Sequence, residues 1–480
     1  MKKITKESER IIIMDENLRN KLINKKKSGW LEIDDEKLRK IFGFCDNYMY
    51  FINHSKTERE FTINARKLAE AKGFKDINKM DNLHEGDKVY FINKEKNVFL
   101  AVIGKEPLEN GLNIIGAHID SPRLDLKPNP IYEDGELAFF NTHYYGGIKK
   151  YQWTTIPLSI HGVMIKANGE KISVNIGEDE QDPIFTITDL LPHLAKDQSA
   201  KKLSEAIEGE KLDLLVGSIP ILDESVNEKV KLNILKILNE KYGIVEEDFV
   251  SSELELVPTF KARSLGFDYG MVAAYGQDDK ACGYTSLQAI LDIQNPQKTA
   301  ICVLVDKEEI GSVGNTGMQS EAIDYFVTEL LNKTGENRVN LLNKVFYRSK
   351  MLSADVDGGF DPLYAYVADK SNSSFLSKGV VINKYTGARG KSGASDANAE
   401  YVALIRNIFE ENNIKYQVSE LGKVDMGGGG TIAYMLANKG IDVIDCGIPV
   451  LSMHAPYEVT SKFDIYESYR AYKAFWECGK

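Results

Sequence analysis

His118, Asp120, Asp278, Glu308, Glu309, Asp355 and His454 share one setting: each lies at the exit of a short apolar run. The run Thr299 to Val305 is the clearest, a β-branched stretch ending in Asp306-Lys307-Glu308-Glu309. Such a run reads as a buried strand that delivers the residues after it to the carboxyl edge of a sheet, where open α/β folds place their sites. Two adjacent glutamates there repel each other and resist burial unless a cation neutralises them. Imidazole nitrogen and carboxylate oxygen are what a catalytic zinc site accepts, with a position left open for water. Two cations held close together need a shared carboxylate, and the set holds ligands for two ions with one acid left to move a proton.

Singly, each of these residues has an ordinary reading. Asp278-Asp279 suits a helix N-cap and first turn. Glu308-Glu309 suits a solvated loop edge, His454 a packed core histidine and Asp355 a turn. What favours a metal centre is the recurrence of one setting on five separate segments. Neighbours on an extended strand point to opposite faces, so Glu308 and Glu309 serve one site only where the strand has become a loop. Gly311 is the residue expected to permit that.

The elements that must position these groups follow from the pattern around them. Residues 35 to 73 read as helical, with Thr57-Glu-Arg-Glu60 forming a capping box and a stop near Gly73. Lys88–Ile92 and Val98–Ile103 read as a hairpin, and Gly111–His118 as a strand. From about 133 to 267 the texture turns β-rich and glycine-broken, with helices expected at Lys201–Lys211 and Asn227–Lys241. Thereafter strands and helices alternate. A helix follows Asp278, then come a helix at Ser320–Asn332, a strand at Lys344–Asp355 and a short strand at Gly379–Asn383. A helix at Ala397–Asn412, a strand at Val443–Ser452 and a closing helix from Ser461 complete the chain. The expectation is an α/β fold whose central sheet is mixed, largely parallel and flanked by helices. Residues 1–132 and 268–480 form this catalytic domain, and 133–267 form an inserted β-rich second domain.

Composition narrows the function. A chain of 480 residues with 43% hydrophobic and 27% charged residues is that of a globular protein of more than one domain. A net charge of -11 argues against nucleic acid as the main partner. Lys25-Lys26-Lys27 reads as a solvated turn. Ile11–Met14 is too short for a signal-peptide core, and no stretch approaches a membrane span. Five cysteines without C-x-x-C spacing read as reduced thiols in the cytoplasm.

Three motifs point elsewhere and fail. Gly387-Ala-Arg-Gly390-Lys391-Ser392 imitates a phosphate loop, but Tyr385 stands where its first glycine belongs. No H-E-x-x-H occurs, so a single-zinc protease of that type is unsupported. Adjacent glutamates do not give the carboxylate separation of a glycosidase.

The segments Gly116-Ala-His118-Ile-Asp120-Ser-Pro122, Asp278-Asp279, Asp306-Lys-Glu308-Glu309-Ile-Gly311, Ser353-Ala-Asp355 and Ser452-Met-His454 together resemble the ordered motif set of the aspartyl aminopeptidase family of dinuclear zinc exopeptidases. The glutamyl aminopeptidase family is the nearest rival. The resemblance implies hydrolysis of the amino-terminal residue of peptides by water activated at two zinc ions, with cobalt or manganese as substitutes. It implies that Asp278 bridges the ions, that His118 and Asp355 complete one and Glu309 and His454 the other. Glu308 would be the general base, and Asp120 would hold the His118 ring in its ligating tautomer. It further implies a cis peptide at Asp278-Asp279 and a tetrahedral dodecamer assembled through the insert. Within the insert, Leu190-Leu-Pro-His193-Leu194 resembles the segment whose histidine reaches a neighbouring subunit's site. His193 would then help bind the substrate carbonyl, although Pro192 suits a helix start equally well.

An acidic first residue in the substrate would need a cation, and Lys384, Arg389 and Lys391 lie in a segment suited to supply one. Glycines at 387, 390 and 393 depart from the family's wording there, so neutral first residues stay open. The reading from another class is a catalytically silent peptide-binding or assembly protein on the same fold.

Overall fold

Alternation along the central strands sets up the layers. In a computed structural model describing residues 27–387 and 389–479 together with Asp15, Leu18, Arg19, Leu22 and Ile23, nine strands form one twisted sheet. Residues Met1–Met14, Lys25 and Lys26 lie outside the described set, and with them the expectations on the amino-terminal stretch and most of the lysine run.

Leu100, Val102, Ile115, Ala117, Cys302 and Leu304 point to one face of this sheet. Phe99, Ala101, Ile114, Ile301, Val303 and Val305 point to the other. Both faces are covered, which is why the Ala300–Val305 strand is an unbroken apolar run with every residue buried. Helices Asp35–Asn53, Glu58–Ala71, Gln277–Leu291, Ala399–Glu411 and Lys462–Glu477 pack on the first face through residues such as Tyr48, Phe61, Leu287, Ile405 and Trp476. Helices Ala322–Lys333, Leu341–Tyr347 and Ala433–Ala437 pack on the second through Phe326, Val345 and Leu436.

The sheet is mixed as expected. Five of its eight neighbouring pairs are parallel, including the consecutive central pairs formed by strands Ala300–Val305, Asn113–His118, Lys350–Ser353 and Asp442–Gly447. Thr57 caps its helix as a full capping box with Glu60, and the helix ends at Ala71, just before Gly73.

A second, six-stranded antiparallel sheet holds the β-rich texture, with its own core around Trp153, Leu158, Ile160 and Leu256. Its strands run from Arg123 to Pro258, so they start ahead of the expected boundary at 133 and end short of 267. The early start was hidden by Pro128 and Pro130, residues normally excluded from strand interiors. They sit where the register of the Arg123–Asp134 strand shifts, between Leu126 and Ile131.

Other expectations give way to local geometry. Lys201–Lys211 is not one helix but a turn at Leu203–Ala206 and a 3-10 turn at Gly209–Lys211, interrupted near Gly209. The Lys344–Asp355 run splits into helix Leu341–Tyr347, whose Leu341, Val345 and Phe346 share a helical face, and a strand limited to Lys350–Ser353. The run Val443–Ser452 divides at Ile448, and Pro449–Leu451 joins a third sheet of five strands that also contains Glu458–Ser461 and Met271–Ala274.

Candidate metal centre

Register explains why distant candidate ligands meet. Val305 lies level with His118, and Ser353 lies level with Gly116, so Asp355, two residues past Ser353, reaches the level of His118 at the same sheet edge. Asp278 arrives from the start of the Gln277–Leu291 helix, where its backbone is not yet helical (φ -82°, ψ 110°) and the Asp278-Asp279 peptide is cis. The Ser121 hydroxyl donates to its carbonyl at 2.6 Å, and its own N–H donates to Glu458 Oε2 at 3.0 Å.

After Val305 the chain turns at Lys307, not first at Gly311 as the sequence suggests. Lys307 adopts φ 69°, its N–H donates to Asp306 Oδ1 at 2.8 Å, and Gly311 (φ 92°) closes the 3-10 turn Glu308–Ile310. Both glutamates therefore face one site. Their backbone N–H groups donate to the two oxygens of Asp120, Glu308 to Oδ1 and Glu309 to Oδ2, each at 3.2 Å.

The cluster closes around Asp278. Its Oδ1 lies 3.2 Å from His118 Nε2 and its Oδ2 lies 3.2 Å from His454 Nε2. His118 Nε2 is 3.8 Å from both Asp355 Oδ1 and Glu308 Oε2, and His454 Nε2 is 3.6 Å from Glu309 Oε2. Donor atoms of His118, Asp278 and Asp355 lie within 4.8 Å of one another, as do those of Asp278, Glu309 and His454.

Each ring's other nitrogen fixes its tautomer. His454 Nδ1 is 2.8 Å from the Gly147 carbonyl, and His118 Nδ1 is 3.1 Å from the Asp120 carbonyl and 3.3 Å from its Oδ1. Carbonyls only accept, so Nδ1 carries a proton in both rings, and Nε2 is the nitrogen each ring presents to Asp278 and the one at which a cation would replace the proton shared there.

The electrostatics are those of acids gathered without enough counter-charge. Burial, with Asp278 adding repulsion, pushes Glu309 well above the usual carboxylate range; burial does the same to Asp355. Burial carries Glu308 up to about 7. Burial opposes the charged form of Asp278 too, but hydrogen bonds to His118 and His454 hold it low. Glu309 Oε1 is buried with no hydrogen-bond partner. An unpartnered carboxylate oxygen, two Nε2 atoms on rings anchored through Nδ1 and a carboxylate shared between them fit metal cations, which would displace the Nε2 protons and return these acids to their charged form.

The remaining sequence candidates fall elsewhere. His193 lies in an exposed turn before helix Lys196–Ala200, not in a helix first turn, and is not among the converging groups. Lys384 and Lys391 both pair with Asp396, at 2.6 and 3.0 Å. Arg389, Lys391 and Lys423 line a cleft of about 140 Å³ with Glu420 and Asp425. The sequence reading missed Glu458, which accepts from both Asp278 N–H and His454 N–H, and Tyr145 and Gly147 from the second sheet. The glycine pair closing the Leu137–Tyr145 strand was the only signal for the latter two, and Glu458 had none.

A helix-covered α/β sheet with two imidazole and carboxylate sets at its carboxyl edge defines a metal-dependent hydrolase. The family model for aminopeptidase I zinc metalloproteases (M18) matches residues 51–476, and the chain belongs to that family. The probable M18 family aminopeptidase 1 of Clostridium acetobutylicum is 54% identical over 460 residues, covering 95% of this chain and 99% of its own. The crystal structure of the M18-family aminopeptidase from Thermotoga maritima has a TM-score of 0.92 at 44% identity, over 95% of this chain and all of that one (100%). The S. cerevisiae mApe1 dodecamer, at 22% identity, shares the fold with a TM-score of 0.73, over 90% of this chain and 96% of that one. The chain is an aminopeptidase of a zinc metalloprotease family, as its motif resemblance implied.

Proposed function

We propose that this aminopeptidase works with two zinc ions, one held by His118 and Asp355, the other by Glu309 and His454, with Asp278 between them. The observation that carries this reading is the symmetry about Asp278, whose two oxygens lie at 3.2 Å from the two Nε2 atoms. When bound, the ions acidify water and polarise the scissile carbonyl. Cobalt or manganese accepts the same oxygen and nitrogen donors.

Glu308 is the acid left over. It sits beside His118 and is not needed to hold an ion, so its carboxylate can take a proton from the attacking water and pass it to the leaving amine. Asp120 holds His118 in the ligating tautomer and, through the Glu308 and Glu309 N–H groups, fixes the turn that carries the base.

The substrates are peptides with a free amino terminus. A preference for an acidic first residue would draw on Arg389 and Lys423 of the cleft, since Lys384 and Lys391 are paired with Asp396. The second sheet with its helices serves assembly of a homo-oligomer, for which the mApe1 dodecamer is the model. There the exposed His193 would reach a neighbouring site. No described helix is long and apolar enough to cross a membrane, and four of the five free cysteines are buried; a cytoplasmic setting accommodates these thiols.

The test is turnover of aspartyl-, glutamyl- and leucyl-p-nitroanilide by zinc-loaded protein, alongside Glu308→Gln. The variant should lose about 10²- to 10⁴-fold in kcat with its metal content intact. Wild-type protein lacking both bound metal and hydrolysis would leave the silent peptide-binding or assembly reading.

A further inference from the structure

The second sheet reaches into the metal centre through the end of one strand. Tyr145 closes the Leu137–Tyr145 strand, and its hydroxyl donates to Asp120 Oδ2 at 2.8 Å. The next two residues touch the centre as well. A side chain on Gly146 (φ 76°) would come 3.2 Å from Glu309 Oε2, and the Gly147 carbonyl holds His454 Nδ1. The strand end and the two glycines after it thus lie against the catalytic edge, Tyr145 and Gly147 through hydrogen bonds and Gly146 by leaving room for Glu309.

We infer that Tyr145 is a positioning residue for the reaction, acting through Asp120 on the Glu308-Glu309 turn. This rests on the roles proposed above for Asp120 and Glu308. Asp120 is fully buried, and its carboxylate serves four partners: His118 Nδ1 and the Glu308 N–H on Oδ1, the Glu309 N–H and the Tyr145 hydroxyl on Oδ2. One rotation about its carboxyl bond would misalign a ligand ring and the base together. Tyr145 is the only side-chain hydroxyl among these partners, and it alone comes from the second sheet.

The phenol is itself held. Tyr145 and Arg123 are cross-strand partners, and the Arg123 guanidinium lies 4.0 Å from the centre of the Tyr145 ring. Arg123 is in turn fixed by Asp125 at 2.8 Å, Glu255 at 3.1 Å and Glu58 at 3.5 Å. Glu58 begins the Glu58–Ala71 helix of the catalytic layer, so the cation stacked on the ring is itself anchored to both the second sheet and that helix. Packing that far outlasts the loss of one oxygen.

Tyr145→Phe separates the hydroxyl from the packing, because the ring stays under Arg123. Zinc-saturated protein should keep its melting temperature and its KM within about twofold, while kcat falls about 10- to 100-fold, the range for partners of a metal ligand. Because Tyr145 acts through Asp120, adding Tyr145→Phe to Asp120→Asn should cost less than about twofold more. A kcat within twofold of wild type, or losses that multiply in the double variant, would overturn the inference. Glu308→Gln run beside it keeps the two readings apart: if that variant stays active the base assignment fails, whereas a dead Glu308→Gln beside a fully active Tyr145→Phe removes only the positioning role.

Discussion

Two buried regions of this molecule are crowded with charge, and they are built on opposite terms. At the metal centre, Asp278, Glu308, Glu309 and Asp355 meet with only two imidazoles, and burial drives three of the four acids up. Where Glu60 of the Glu58–Ala71 helix meets Glu178 of the second sheet's edge, both acids have protein cations. His161 lies 2.7 Å from Glu60 and 3.1 Å from Glu178, and Lys56 lies 2.5 Å from Glu178 and 2.7 Å from the Pro258 carbonyl. Burial works against the charge of Glu60 and Glu178 too, but His161 and, for Glu178, the lysines hold both low. Burial alone therefore does not mark a site. The mark is burial without compensation, because only an added cation makes such a cluster worth keeping.

That contrast can be broken from either side. Glu309→Gln should produce the largest change: turnover and metal binding are lost together, while the metal-free melting temperature holds or rises, since burial and Asp278 both oppose the charge of Glu309. Metal analysis and calorimetry on the same sample check it, and a fall in metal-free stability would show that the acids were already compensated. Lys56→Ala should do the reverse. It removes the buried cation beside half-buried Glu178, which keeps His161 and Lys261, and should cost about 1.5–3 kcal/mol of stability by urea unfolding, leaving kcat of the folded fraction near wild type.

The same contrast explains what the sequence could disclose. The convergence of these groups was legible because they follow apolar runs and register did the rest; His118, Val305 and Ser353 fall at one edge simply because their strands run parallel. The capping box at Thr57 was legible for a similar reason, being four residues long. Tyr145 and Glu458 were not, because their partners are 25 and 180 residues away and neither residue type is unusual for a strand. The second sheet's first strand was missed because two prolines occupy its register shift. Lys344–Tyr347 was misread because Val345, Phe346 and Tyr347 favour strands locally, and only packing against the sheet made them helical.

A pH series sharpens the comparison at the paired region. Burial opposes protonation of His161, yet Glu60 and Glu178 raise its pKa above the ordinary 6.5. A raised folded value means that the stabilisation is fully present below 6.5 and is lost as pH climbs through the folded value. Ser159 and Asn175 also line this network and carry no titrating group, and Lys56, whose pKa burial lowers, is common to both proteins compared. The melting-temperature gap between wild type and His161→Gln should thus be widest near about pH 6 and shrink toward about pH 10. A gap independent of pH would mean that His161 is neutral in the folded state.

The smallest expected effect isolates Glu60, which works for both the helix and the ion pair. Its Oε2 accepts from the Thr57 and Lys56 N–H groups at 3.2 and 2.9 Å, while its Oε1 meets His161. Thr57→Ala removes only the reciprocal half of the cap, the bond from Glu60 N–H to the Thr57 hydroxyl at 3.2 Å. If the ion pair alone fixes the Glu60 carboxylate, the loss is one ordinary cap, about 1 kcal/mol by urea unfolding, with the pH slope of stability unchanged. A slope that flattens along with the loss would instead mean that the cap holds Glu60 in place for His161. The helix start would then be a working part of the paired region, just as the end of the Tyr145 strand is proposed to be for the metal centre.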